Sequence, residues 1–274
     1  MLTVASNWTY SHDGLRHQLK EISQEIEEAT SINDNHHVVA LKLDRAHLHF
    51  RNRNYLEAER ELEPILNGDS KNLNALFLMA KIKFALGNLT SAKKFAHVFD
   101  RSSKKIASRV RAASLLASIY KSELDAKQAI KYSEFIIENK IKLLPEDVLH
   151  AAEVALSLDN KPKVRALAVI SKGVSRIGKI HSLIKASIEI MVELSYYRQA
   201  ITSVDFLIDE SKGVYKAILM KKKISILDAQ DNRKEAKIIA QKLMTFLDSL
   251  PEKKKSLSVV TDLRGVIWKR VSQK

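Results

Sequence analysis

The chain of 274 residues contains no cysteine, four prolines and seven glycines. Without a thiol there is no disulfide, no thiolate nucleophile and no Cys-ligated zinc, which fits a reducing compartment such as the cytoplasm. The glycines (14, 68, 87, 173, 178, 213 and 265) stand alone, so neither a phosphate-cradling loop nor a dinucleotide fingerprint can be assembled. No Gly-x-Ser-x-Gly elbow is present. Charge-free stretches are short: residues 72–80 and 112–120 are nine long, against the roughly 20 that a bilayer span needs. Met1 to Tyr10 has no positive start ahead of an apolar core, so no secretory signal is expected. Aromatic residues make up 6% of the chain and are scattered, unlike the stacking platforms that hold single-stranded nucleic acid.

What is present is helical periodicity, with an apolar fraction of 45% that can supply a core. Ala46, Tyr55, Ala58 and Leu62 recur as Ala80, Leu89, Ala92 and Ala96, each pair 34 residues apart, which is the period of a helix–turn–helix repeat. Small residues at fixed places let two helices cross closely, at about 8–10 Å between axes. Arg53-Asn54 and Gly87-Asn88 fall at the reversals. Ala117 and Ala129 continue the register after three added residues, which lengthen a helix or the connection near Arg101. Ala166, Ala200 and Ala236 carry it further, and Val154 fills the first-helix position of a degenerate fourth hairpin.

These residues resemble the tetratricopeptide repeat. The resemblance implies an all-α, right-handed solenoid of about six hairpins. Residues 1–35 are expected to be a loose segment (1–12) followed by a helix from Asp13, residues 36–250 the array, and residues 251–274 a basic capping helix. In that last helix Leu257, Val260, Leu263, Ile267 and Val271 form one apolar stripe; a membrane-surface helix is the lesser reading.

Charge is uneven within the net +14: residues 1–70 are net acidic and residues 71–274 strongly basic. This suits an acidic partner, a nucleic-acid backbone, or self-association of the acidic head with the basic body. No catalytic constellation is found. Glu57, Glu59, Glu61 and Glu63 alternate and so fan around a helix. His36-His37 and His47-x-His49 lack the i, i+3 or i, i+4 spacing of helical zinc ligands. No metal, cofactor or enzymatic activity is expected.

In the tetratricopeptide family the first helices line a groove that grips partner segments. Carried over, the lining positions are Leu43, His47 and Phe50, then Asn74, Phe77, Lys81 and Phe84, then Arg111, Ser114, Ser118 and Lys121. Lys185, Glu189, Lys221 and Ser225 follow. The groove is expected to be apolar at first and basic further on. The subset that clamps a chaperone's C-terminal carboxylate is not matched: Leu43, His47 and Leu78 stand where it needs Lys, Asn and Asn, and only Arg111 fits. A fainter resemblance, through Arg109-Val-Arg111-Ala-Ala and Pro145-Glu-Asp, is to repeat-built effector halves of bacterial response regulators. The expected function is a non-catalytic scaffold taking an acidic, partly apolar protein segment in the groove. A nucleic-acid-binding or signal-transduction effector protein using the basic body is the alternative.

Overall fold

The computed structural model describes the backbone of residues 4–158 and 161–272 and the side chains of residues 14–157 and 161–272. It is helical, without strands among the described residues, and divides into two compact units, Met1–Lys140 and Ile141–Lys274. The first unit holds α1 (Val4–Ser31), α2 (Asn35–Arg51), α3 (Tyr55–Gly68), α4 (Leu73–Ala85), α5 (Leu89–Ser102), α6 (Ile106–Ser122) and α7 (Ala126–Asn139). The second holds α8 (Pro145–Leu158), α9 (Pro162–Ile177), α10 (His181–Glu193), α11 (Tyr197–Glu210) and α12 (Gly213–Ala229). It ends in α13 (Arg233–Asp248), a single turn α14 (Glu252–Lys255) and α15 (Ser258–Ser272).

Each unit contains three hairpins: α2–α3, α4–α5 and α6–α7, then α8–α9, α10–α11 and α12–α13. The alanines that set the repeat are where the helices cross. Ala46, Ala58, Ala80, Ala92, Ala129, Ala166, Ala200 and Ala236 are all fully buried, and Ala117 and Val154 nearly so. A larger side chain at these crossings would hold the axes apart. The fourth hairpin uses a smaller residue still. A Cβ on Gly173 would lie 2.4 Å from a methyl of Val148, so α9 approaches α8 through a position with no side chain at all.

The turns are built alike. Arg53, Gly87, Leu124, Ser195 and Asp231 each take a left-handed conformation, with φ between 57° and 76°. At the second hairpin the Gly87 amide donates to the Phe84 carbonyl at 3.0 Å and the Asn88 amide to the Lys83 carbonyl at 2.9 Å, which closes α4. Asn88 then opens α5 by accepting from the Ser91 amide at 3.0 Å; Asp125 and Asn232 do the same for α7 and α13. One Asx residue thus belongs to both helices of a hairpin, and this keeps the reversals short.

Two expectations need correction. The first helix starts at Val4, not Asp13: nothing between them breaks a helix, and Gly14 inside it costs only about 1 kcal/mol relative to Ala. Residues 1–3 of the segment expected to be loose lie outside the described residues, as do residues 159–160 of the expected turn after α8. The C-terminal helix is interrupted, because the Ser256 hydroxyl bonds the Lys253 carbonyl and competes with the helix backbone. Leu257 consequently leaves the stripe and is exposed, while Val260, Leu263 and Ile267 are buried. The extra residues of the third repeat lie mainly in α6, which is 17 residues long against 13 for α4.

Candidate partner-binding face

In the first unit the first helices of the three hairpins, α2, α4 and α6, lie side by side. Each of the later two reaches back with a cation onto an aromatic ring of the one before. The Lys81 Nζ of α4 sits 4.4 Å from the ring centre of Phe50 on α2. The Arg111 guanidinium of α6 sits 4.3 Å from the ring centre of Phe77 on α4. The rings are themselves backed: Phe50 lies 5.6 Å from Tyr55 and Phe77 lies 4.8 Å from Phe99. Both phenylalanines are half-buried, so they act as platforms that hold cations.

Lys81 and Arg111 combine a ring beneath the cation with the lack of a counter-ion. Elsewhere in this unit Lys83 pairs with Glu59, Arg45 with Glu61 at 2.9 Å, Lys93 with Glu123 at 2.7 Å and Arg109 with Asp100 at 3.3 Å. Two of the four alternating α3 carboxylates, Glu59 and Glu61, are thereby spent on neighbouring helices. Among the described residues neither Lys81 nor Arg111 meets a carboxylate. Burial, and then the charge of Arg111, hold the Lys81 ammonium below its ordinary pKa. His47, across on α2, is lowered first by burial, then by Lys81 and Arg111, against the opposing pull of Asp44.

His49 and His97 are likewise lowered, chiefly by burial, and the His49 Nδ1 is buried without a hydrogen-bond partner. In all three the folded pKa lies below the unfolded value near 6.5. Below that value the unfolded chain binds more protons than the folded one, so stability is complete above it and is lost as pH falls through it. The denaturation midpoint of the first unit should therefore be lower at pH 5.5 than at pH 7.5. The difference should shrink in His49→Gln. A midpoint that is flat or rises on acidification, or a variant with the same slope, would contradict this.

Leu43 and Phe84 are half-buried and pack against the apolar cores around Ala46 and Ala80. Asn74 is exposed near the start of α4, and the exposed Ser114 turns its hydroxyl onto the Val110 carbonyl at 3.0 Å. Lys121 is half-buried at the far end of α6. Lys185 and Lys221 stand exposed on α10 and α12 of the second unit, where Lys221 borders a cavity of about 440 Å³ shared with Val266, Lys269 and Arg270 of α15. Sequence reasoning placed Phe50, Phe77, Lys81, Arg111 and Lys121 among the groove-lining positions. It missed that the aromatic and basic residues would be stacked on each other, which depends on the stagger of adjacent first helices.

Among the described residues no three His, Cys, Asp or Glu side chains gather as for a metal, and no helix is long and apolar enough to cross a membrane. Comparison with known protein families finds no match, and neither does comparison with curated proteins. Among solved structures, the Naa15/Naa10 complex bound to HypK-THB resembles 86% of this chain with a TM-score of 0.60 at 12% identity; this chain spans 35% of that one. The C-terminal part of a TPR repeat-containing protein from Cytophaga hutchinsonii resembles 96% of it with a TM-score of 0.51 at 13% identity, over 93% of that chain. The fold is that of the tetratricopeptide repeat proteins, helical hairpins packed in consecutive pairs.

Proposed function

We propose that the protein is a non-catalytic scaffold whose α2–α4–α6 face accepts an acidic, partly apolar segment of a partner protein. One observation carries this: Lys81 and Arg111, on adjacent helices, are held on aromatic platforms with no counter-ion of their own. A cation that is positioned and partly desolvated has already lost much of the freedom and hydration that binding would remove. Carboxylates of a partner supply the missing charge, steering association, while burial over the surrounding apolar surface supplies affinity. The structures bound to HypK-THB or built of TPR repeats are consistent with such a role and leave the partner open. A place in the cytoplasm belongs to the same reading, since a chain without cysteine is compatible with a reducing compartment.

The test is capture from native lysate by wild type and by the Lys81→Glu, Arg111→Glu pair, with and without nuclease, followed by titration of the captured partner. The partner should survive nuclease and be lost from the double variant. Phe77→Ala should cost about 2 kcal/mol of binding, as at a hot spot, because it removes the platform beneath Arg111. Binding through nucleic acid would instead vanish with nuclease. Its affinity would fall roughly 10³–10⁵-fold between 50 and 200 mM salt if six to ten phosphates are contacted, and Phe77→Ala would change little. That outcome overturns the scaffold reading in favour of the basic-body alternative.

A further inference from the structure

The cationic half of this face continues, across His47, into an acidic half. A groove of about 320 Å³ runs between α1 and α2, floored by Ile22 and Leu48 and edged by Glu25, Asp44 and Arg51. Glu21 also borders it, but is engaged with His17 at 3.2 Å. Glu25 and Asp44 meet no cation among the described residues, just as Lys81 and Arg111 meet no anion. His47 lines this groove and also senses Lys81 and Arg111, so it marks the seam between the two halves. Unpaired charges of opposite sign this close would neutralise each other if their side chains could reach. The cations are held on rings, and the two carboxylates stand exposed at the edge of the trough.

We propose that the segment taken by this unit is bipolar, placing acidic residues over Lys81 and Arg111 and a basic residue in the trough between Glu25 and Asp44. The proposal rests on the scaffold reading above and adds the partner's charge pattern. A segment of one sign would satisfy one half and be repelled by the other, since like charges brought together at an interface cost affinity and exclude wrong partners. Arg51, at the edge of the trough, reduces its negative charge without cancelling it, which favours a single basic residue over a run of them. From α1 to α6 there are three steps between neighbouring helices of about 8–10 Å each. The path of roughly 25–30 Å corresponds to some eight or nine extended residues at about 3.3 Å per residue.

The probes are three synthetic peptides of about 12 residues, long enough for that path, with a common Leu-Phe-Leu centre. One carries Glu at both ends, one Glu at one end and Lys at the other, and one Lys at both. Binding is followed by fluorescence anisotropy at low salt. Wild type should bind the mixed peptide at least tenfold more tightly than the doubly acidic one. The Glu25→Lys, Asp44→Lys variant should reverse that order, with unchanged circular dichroism. Should this variant fail to fold, Asp44→Asn should narrow the preference several-fold. A wild type that binds the doubly acidic peptide as well as the mixed one overturns the bipolar pattern and leaves the scaffold reading standing. If no acid-bearing peptide binds, or if Lys81→Glu with Arg111→Glu leaves binding unchanged, both fall together.

Discussion

A chain ending at Pro251 should bind an apolar dye, scatter light and lose most of the stability of its second unit. The residues responsible are Val260, Leu263 and Ile267 of α15, each buried to within 3%. They close a core made with Ala217, Ile224 and Leu227 of α12 and Ala236, Ala240, Leu243 and Leu247 of α13. Burying an aliphatic side chain of this size contributes about 1.5–3 kcal/mol, so the three together amount to roughly 5–9 kcal/mol. That is comparable with the whole stability of an ordinary domain, about 5–15 kcal/mol. The ion pairs of Arg270 with Asp228 and of Arg264 with Asp248 are partly exposed and add little. Removing α15 also leaves the apolar side of α13 bare, and patches of that kind drive association. Ile267→Ala is the graded version and should cost about 2–5 kcal/mol. A truncated chain that stays monomeric and equally stable would show that α15 does not cover this core.

The repeat was legible because its determinants are local and periodic. Alanines recurring every 34 to 37 residues read the same in one dimension as in three, and Ala80 and Ala92 are both fully buried. The turns were legible only by half. Arg53-Asn54 and Gly87-Asn88 were placed at reversals by residue type, but Arg53 and Leu124 take left-handed conformations that their residue types disfavour, imposed by the hairpin around them. Gly173 was passed over as one of several isolated glycines; its role depends on Val148, 25 positions away and on another helix. Ser187 is a second such case, a buried small residue whose hydroxyl is satisfied by the Ile184 carbonyl at 2.7 Å. At the candidate site the residue types were readable and their pairing was not. That Lys81 would find a ring while Lys83 finds Glu59 depends on which face of α4 each occupies against its neighbours.

Ala80→Leu should destabilise the first unit by about 1–3 kcal/mol, measured by chemical denaturation. Helix propensity barely distinguishes the two residues, so the backbone of α4 is indifferent to the change. The three added carbons would gain about 0.8 kcal/mol each if there were room to bury them. There is none: Ala80 has no exposed surface and lies in a core with Ala92 and Ala96 of α5 and Leu116 and Ile119 of α6, ringed by Phe84, Phe95 and Leu115. Interiors of this kind are packed at crystal density, and a leucine on a helix can relax only into rotamers directed toward the preceding turn. The crossing of α4 with α5 must then widen, and because α6 packs on both, the strain is shared across two hairpins. Ala85→Leu, exposed at the end of the same helix, is the control and should stay within about 0.5 kcal/mol. Equal stabilities for wild type and Ala80→Leu would mean that the alanine does not set the helix separation, and the repeat register built on it would be wrong.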